Sequence, residues 1–155
     1  MNKPELESVA KALIINPENE ALILTLGEHK QRPEKSFKPD LPGGLVDPGE
    51  SDRDGVIREI QEETGIDIDL NEAIPVYSKT EFYSDENKSV TKHLFVVNLD
   101  SIPTVQLSWE HSAYQWVALE ELQNSILRSF YDEAIKYCFT HNILATTKTN
   151  ADKDE

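Results

Sequence analysis

The chain has 155 residues, the length of one domain on the usual prior, and is long enough to bury a core without staples. Its 15 Lys and Arg stand against 29 Asp and Glu, a net charge of -14. That balance argues against a protein that tracks nucleic-acid phosphates or docks on anionic membranes. It leaves room for a small anionic substrate held by local basic groups or bridged to carboxylates by metal ions. A single cysteine, Cys138, excludes an intramolecular disulfide and argues against a cysteine-built zinc site. The N-terminus lacks an apolar leader core and no apolar run is long enough to span a membrane, so a cytoplasmic location is expected.

In chain order, Ser8 to Ile15 is apolar and β-rich, and Asn16-Pro17-Glu18-Asn19 is a turn signal. Leu22, Leu24 and Leu26 fall on one face at period two, so the two segments predict a β-hairpin. Gly27 to Asp40 is polar and basic-leaning, with His29, Lys30, Arg32, Lys35 and Lys38, and predicts a long loop. A short apolar segment, Leu41 to Val46, surrounds Pro42-Gly43-Gly44, and Asp47-Pro48-Gly49 makes a second turn. Ser51 is a helix N-cap candidate with Asp54 three residues on, and the helical pattern runs from about Asp52 to Thr64 before Gly65. Strands are predicted over Ala73 to Thr80, Lys92 to Leu99 and Tyr114 to Ala118, with a polar turn at Tyr83 to Lys88. Helix returns from Leu119, with Leu127, Phe130, Ala134 and Cys138 as a core stripe. A single domain over 1–145 is expected, with an unstructured tail over 146–155. This order predicts an α/β (α+β) fold with a mixed sheet between helices.

On a wheel of about 100° per residue, Glu59, Glu62 and Glu63 share an arc of roughly 100°, apart from Val56, Ile57 and Ile60. Arg58 precedes Glu62 by four residues and can brace it. Carboxylates about 6 Å apart repel by roughly 3 kcal/mol at an effective dielectric near 20, and by under about 1 kcal/mol in water. Two readings follow. One is a solvated acidic face. The other is a face whose repulsion a divalent cation removes, and oxygen-only donors then favour Mg²⁺ or Mn²⁺ over zinc. Glu50, at the helix entrance, is within reach of the same ions.

The segment Gly44 to Ile66, GLVDPGESDRDGVIREIQEETGI, resembles the signature box of the Nudix hydrolase superfamily. Gly44, Glu50, Arg58, Glu59, Ile60, Glu62, Glu63, Gly65 and Ile66 match every constrained position. The preceding Leu41-Pro42 and the later Trp109-Glu110-His111 and Trp116 to Leu122 are similar too, so the likeness runs from about Val9 to Leu144. Asp47 stands where Glu is frequent. Gly55-Val56 replaces small alanines, and a mid-helix Gly costs up to about 1 kcal/mol against Ala.

The resemblance implies an α-β-α sandwich and metal-dependent hydrolysis of a phosphoanhydride bond in a nucleoside diphosphate linked to a moiety X. It implies that Glu59, Glu62, Glu63 and Glu50 ligate the metal. Glu59 is also a candidate for activating water, and Arg58 holds a glutamate in place. The Gly43-Gly44 backbone shapes the substrate loop, and Glu110 is a further loop acid. The implied partner is a small nucleotide, with neither nucleic acid nor membrane, and a homodimer is compatible with the family. Tyr83 lies one residue off the tyrosine of dinucleoside-polyphosphate members, and Pro75 lies before the proline of ADP-ribose members. Phe82, Tyr83 and Trp109 are candidates for stacking on a base, set against a packing role. Two alternatives to hydrolysis are a non-catalytic nucleotide sensor on the same fold and an isomerase on a similar scaffold.

Overall fold

The computed structural model describes residues 2–144. The expectation of an unstructured tail over 146–155 lies outside the described residues. Seven strands form one mixed sheet: β1 (Glu5–Ile15), β2 (Glu20–Leu26), β3 (Pro39–Asp40), β4 (Gly43–Leu45), β5 (Ile74–Tyr83), β6 (Lys88–Asn98) and β7 (His111–Ala118). Helix α1 (Asp52–Thr64) and helix α2 (Ser129–Thr140) belong to two separate cores.

Alternation along the central strands builds both cores at once. Ala10, Ala12 and Ile14 of β1, Leu22 and Leu24 of β2, and Phe95 and Val97 of β6 cluster with Val56 and Ile60 of α1. The intervening Leu13, Ile15, Ala21, Ile23, Leu94 and Val96 cluster with Phe130, Ala134, Ile135 and Cys138 of α2. Period-two strands buried on both faces therefore give the expected sandwich. Among the described residues, no helix is long and apolar enough to cross a membrane.

The expected hairpin forms at its closed end, where Ile15 pairs with Ala21. Further along, β1 instead takes β4 as an antiparallel partner, with Ala10 opposite Gly44 and Lys11 opposite Gly43, and Ala12 N–H donates to the Pro42 carbonyl. On its other side β1 runs parallel to β6 along its full length. Strand β2 pairs with β3 and β7. The Gly43-Gly44 segment is thus held against the middle of β1. Gly43 adopts φ +127°, and a Cβ there would collide with the Ala10 carbonyl and lie 2.6 Å from the Lys11 Cα. Only glycine fits this position.

Helix α1 has the predicted ends. Ser51 caps it by accepting from Asp54 N–H, and Gly65 closes it in the left-handed conformation at φ 75°. Strands β5 and β6 extend further than their apolar patterns. Polar pairs such as Tyr83–Lys88 and the Thr80–Thr91 hydroxyl contact of 2.8 Å continue the exposed ladder up to a turn near Asn87. The helix expected from Leu119 is broken. A 3₁₀ segment, Leu119–Asn124, ends at Ser125 in the left-handed region, φ 59°, and α2 begins at Ser129. Leu127 lies in the connection and still packs against the α2 core.

Candidate active site

Arg58 is the hub of the outward side of α1. Its Nε and Nη2 donate to the two oxygens of Glu50, at 2.9 and 3.0 Å, a bidentate pair that a lysine could not make. Its Nη1 reaches Glu59 at 3.2 Å and Glu62 at 3.3 Å. Nη2 also donates to the Leu45 carbonyl at 3.1 Å, so the guanidinium ties the β4 exit to the helix. The Glu50 carboxylate, bonded by Arg58 and by the Asp47 N–H, is held below the usual carboxylate range. Arg58 is correspondingly raised, first by its hydrogen bonds to Glu50. Gly55 has a physical reason here. A Cβ would sit 3.0 Å from Glu50 Oε1 and from a Val46 methyl, so the mid-helix glycine lets the Glu50 loop approach.

Glu59 rests over the glycine loop, where a Cβ on Gly44 would lie 3.0 Å from its carboxyl carbon. Burial pushes Glu59 above the usual range against the pull of Arg58, and the nearby charges of Glu62 and Glu110 push the same way. Glu110, from the turn before β7, therefore belongs to the electrostatic neighbourhood of Glu59. Glu62 is the most exposed of the Arg58-bound glutamates.

Glu63 lies elsewhere. The wheel groups it with Glu59 and Glu62, yet it is only 3% exposed and turned inward. Its Oε1 accepts from Gly43 N–H at 2.7 Å. Burial raises its carboxyl to about 7, against the Gly43 hydrogen bond and the Lys11 and His111 charges. Behind it lie groups that sequence reasoning left without a role. His111 Nδ1 is 3.7 Å from Glu63 Oε2, and His111 Nε2 is 3.2 Å from Asp40 Oδ2. Lys11 Nζ donates to Asp40 Oδ1 at 2.7 Å. Burial pushes Asp40 up, but its bond to His111 and the Lys11 charge outweigh this and hold it below the usual range. The available signal was Lys11 within the otherwise apolar run Val9 to Ile15 and a histidine opening β7.

These groups border a cavity of about 480 Å³ between the glycine loop, the Gly27–Asp40 loop and the start of β7. Gly43, Gly44, Glu63 and Glu110 line one part of its wall, and Lys35 and Arg128 also line it. Of the basic loop, His29 and Lys35 reach the cavity while Lys30, Arg32 and Lys38 do not. Trp109 stands at the cavity 90% exposed. Phe82 and Tyr83, both exposed, lie at the far end of β5 and do not line it.

A NUDIX domain model matches residues 6–138. The chain belongs to the NUDIX family. A mouse bis(5'-nucleosyl)-tetraphosphatase is 37% identical over 81 residues, 52% of this chain and 55% of that protein. A Bacillus subtilis protein provisionally named an 8-oxo-dGTP diphosphatase is 37% identical over 79 residues, 51% of this chain and 49% of its own length. The chain thus spans about half the length of the curated relatives it matches. Among solved structures, a MutT protein from Methanosarcina mazei superposes with a TM-score of 0.75 at 29% identity, covering 92% of this chain and 99% of that one.

The donors suit a hard divalent cation: the Glu59 and Glu62 carboxylates are oxygen donors, and Gly44 leaves the Glu59 carboxylate the space a Cβ would fill. As the side chains stand, Arg58 is the counter-charge of the cluster, and among the described residues no three acidic, imidazole or thiol groups are gathered as a metal-ligand set.

Proposed function

We propose that the chain hydrolyses a phosphoanhydride bond in a nucleoside diphosphate linked to another moiety, releasing a nucleoside monophosphate and the phosphorylated remainder. The observation that carries this reading is the convergence of Glu50, Glu59 and Glu62 on Arg58, with Glu59 seated on the Gly44 backbone that borders the cavity. Glu59, Glu62, Glu63 and Glu50 are the residues that would hold Mg²⁺ or Mn²⁺. When bound, such an ion would neutralise diphosphate charge and act as a Lewis acid.

The protein supplies the rest. Arg58 fixes the carboxylate rotamers. The Gly43-Gly44 backbone gives the phosphates a close approach. Glu59, seated over the Gly44 backbone, takes the proton of the attacking water. The water oxygen joins one phosphorus as the bond from that phosphorus to the bridging oxygen breaks, and the bridging oxygen leaves with the remainder. Lys35 and Arg128 lend the cavity positive charge in a protein of net -14. A cytoplasmic location accompanies this reading, in keeping with the buried free thiol of Cys138. A substrate panel with Mg²⁺ or Mn²⁺ tests it: nucleoside triphosphates, oxidised triphosphates, ADP-ribose, sugar nucleotides, dinucleoside polyphosphates and capped RNA. Metal-dependent release of a nucleoside monophosphate from at least one of them is expected. Binding of nucleotides with turnover of none would replace the reading with that of a sensor.

A further inference from the structure

The chain Lys11–Asp40–His111–Glu63–Gly43 joins β1, β3, β7, the last turn of α1 and β4 through buried polar contacts. A buried polar chain is a costly way to hold elements together when apolar packing would serve, because each unpaired member costs about 1–3 kcal/mol. One member is unpaired here. His111 Nδ1 is buried with no hydrogen-bond partner and stands 3.7 Å from Glu63 Oε2. Asp40, an acceptor when ionised, assigns Nε2 as the donor on the other edge of the ring. The ring is therefore anchored on one side and open on the side that faces Glu63. A shift of roughly 0.8 Å would bring the open edge to hydrogen-bond distance, with the proton of that bond carried by Nδ1 or by the Glu63 carboxyl.

The backbone reinforces this placement. Ser108 N–H donates to the Glu63 carbonyl at 3.1 Å, and His111 N–H to the Ser108 carbonyl at 3.3 Å, so the turn carrying Trp109 and Glu110 is tied to the end of α1. The His111 ring thus lies beside the Glu63 carboxylate, which accepts from Gly43 N–H next to the Gly44 backbone under Glu59. We infer that His111, anchored through Asp40 and Lys11, is a positioning residue that sets the Glu63 carboxylate and the glycine loop for divalent-cation binding. This inference rests on the reading of the site as a metal-dependent hydrolase. It predicts that the edge of the ring facing Glu63 matters more than the edge facing Asp40.

Two amides separate the edges. In His111→Gln the side-chain nitrogen reaches the place of Nε2, keeping the Asp40 partner and losing the Glu63 edge. In His111→Asn the nitrogen stands near the place of Nδ1. Mn²⁺ binding to the full chain, followed by calorimetry without nucleotide, is expected to weaken about tenfold or more in His111→Gln, the range seen when supports of metal ligands are removed. His111→Asn should stay within about threefold of wild type. With a substrate from the panel at saturating Mn²⁺, His111→Gln should lower kcat about tenfold and leave KM within about threefold, the pattern of a displaced catalytic geometry. Equal Mn²⁺ affinity in both variants, whether normal or impaired, overturns the inference, because a purely structural histidine would lose both edges alike. Should neither variant fold, the imidazole ¹⁵N spectrum of wild type decides: a shift of the Nδ1 resonance on adding Mg²⁺ upholds the inference, and an unmoved Nδ1 resonance overturns it. Wild type that binds no Mn²⁺ and hydrolyses nothing removes both this inference and the functional reading. Wild type that does both, with indistinguishable variants, removes this inference alone.

Discussion

The two sides of α1 hold the same residue type in opposite electrostatic conditions. On the outer side, Glu50, Glu59 and Glu62 gather round one guanidinium, and Glu50 is held firmly ionised. On the inner side, Glu63 is enclosed with His111, Asp40 and Lys11, and its carboxyl is raised to about 7. Adjacent positions, Glu62 and Glu63, thus diverge because one faces water and the other the junction of β4, β7 and the helix end. On the proposed reading, the outer cluster exchanges its counter-charge for a cation, while the inner one fixes the geometry of Glu63. Exposed ion pairs are weak and reversible, whereas buried ones are costly to break.

The largest separation of the two regions is expected in turnover. Glu59→Gln should lower kcat by about 100-fold to 10⁴-fold, the range for a group acting on the attacking water, with an unchanged circular dichroism spectrum. A rate within threefold of wild type would take Glu59 out of the chemistry. The paired glycines come next. Gly43→Ala places a methyl against the Ala10 carbonyl in a left-handed backbone and should cost about 3 kcal/mol of stability in urea melts. In Gly44→Ala the nearest atoms met belong to the Glu59 carboxylate, and the change should spare stability while depressing kcat. Equal losses of stability in both would show that the loop is not divided in this way.

A smaller effect tests the inner cluster by pH. The ordinary carboxyl value is 4.5 and the folded value of Glu63 about 7, so the folded state binds the proton more tightly. This contribution to stability is fully present below about pH 4.5 and is lost as pH rises through about 7, by at most about 3 kcal/mol. In EDTA, Glu63→Gln should therefore match wild type near pH 5 and exceed it by about 1–3 kcal/mol near pH 8. An advantage of equal size at both pH values would mean that Glu63 does not titrate in this window.

Much of the fold was legible because period-two apolar strands and a well-capped helix carry their own signals. Ser51 and Gly65 bound α1 as expected, and Leu22 and Leu24 share one core. The insertion of β4 beside β1 was not legible, since three residues centred on glycines have no period to read. The break before α2 was hidden because Ser125 and Leu127 fit a helical pattern while the backbone turns left-handed at Ser125. Spacing along α1 brought Glu59 and Glu62 together and explained Arg58. The inward turn of Glu63 depends on His111 and Gly43, 48 and 20 residues away in sequence, which no local pattern encodes.

The most direct test of the outer cluster as a cation site is thermal melting of the nucleotide-free protein during a Mn²⁺ titration, beside NaCl at matched ionic strength. An ion at a hundredfold excess over its Kd stabilises by about 2.7 kcal/mol, which for a chain of this size is roughly 5–10 °C in Tm. A saturable rise of that size is expected in wild type, beyond the NaCl control, and its loss is expected in the Glu59→Gln, Glu62→Gln double variant. A Mn²⁺ response equal to that of NaCl, or one retained in the double variant, would leave the Arg58-centred carboxylates as a solvated acidic surface.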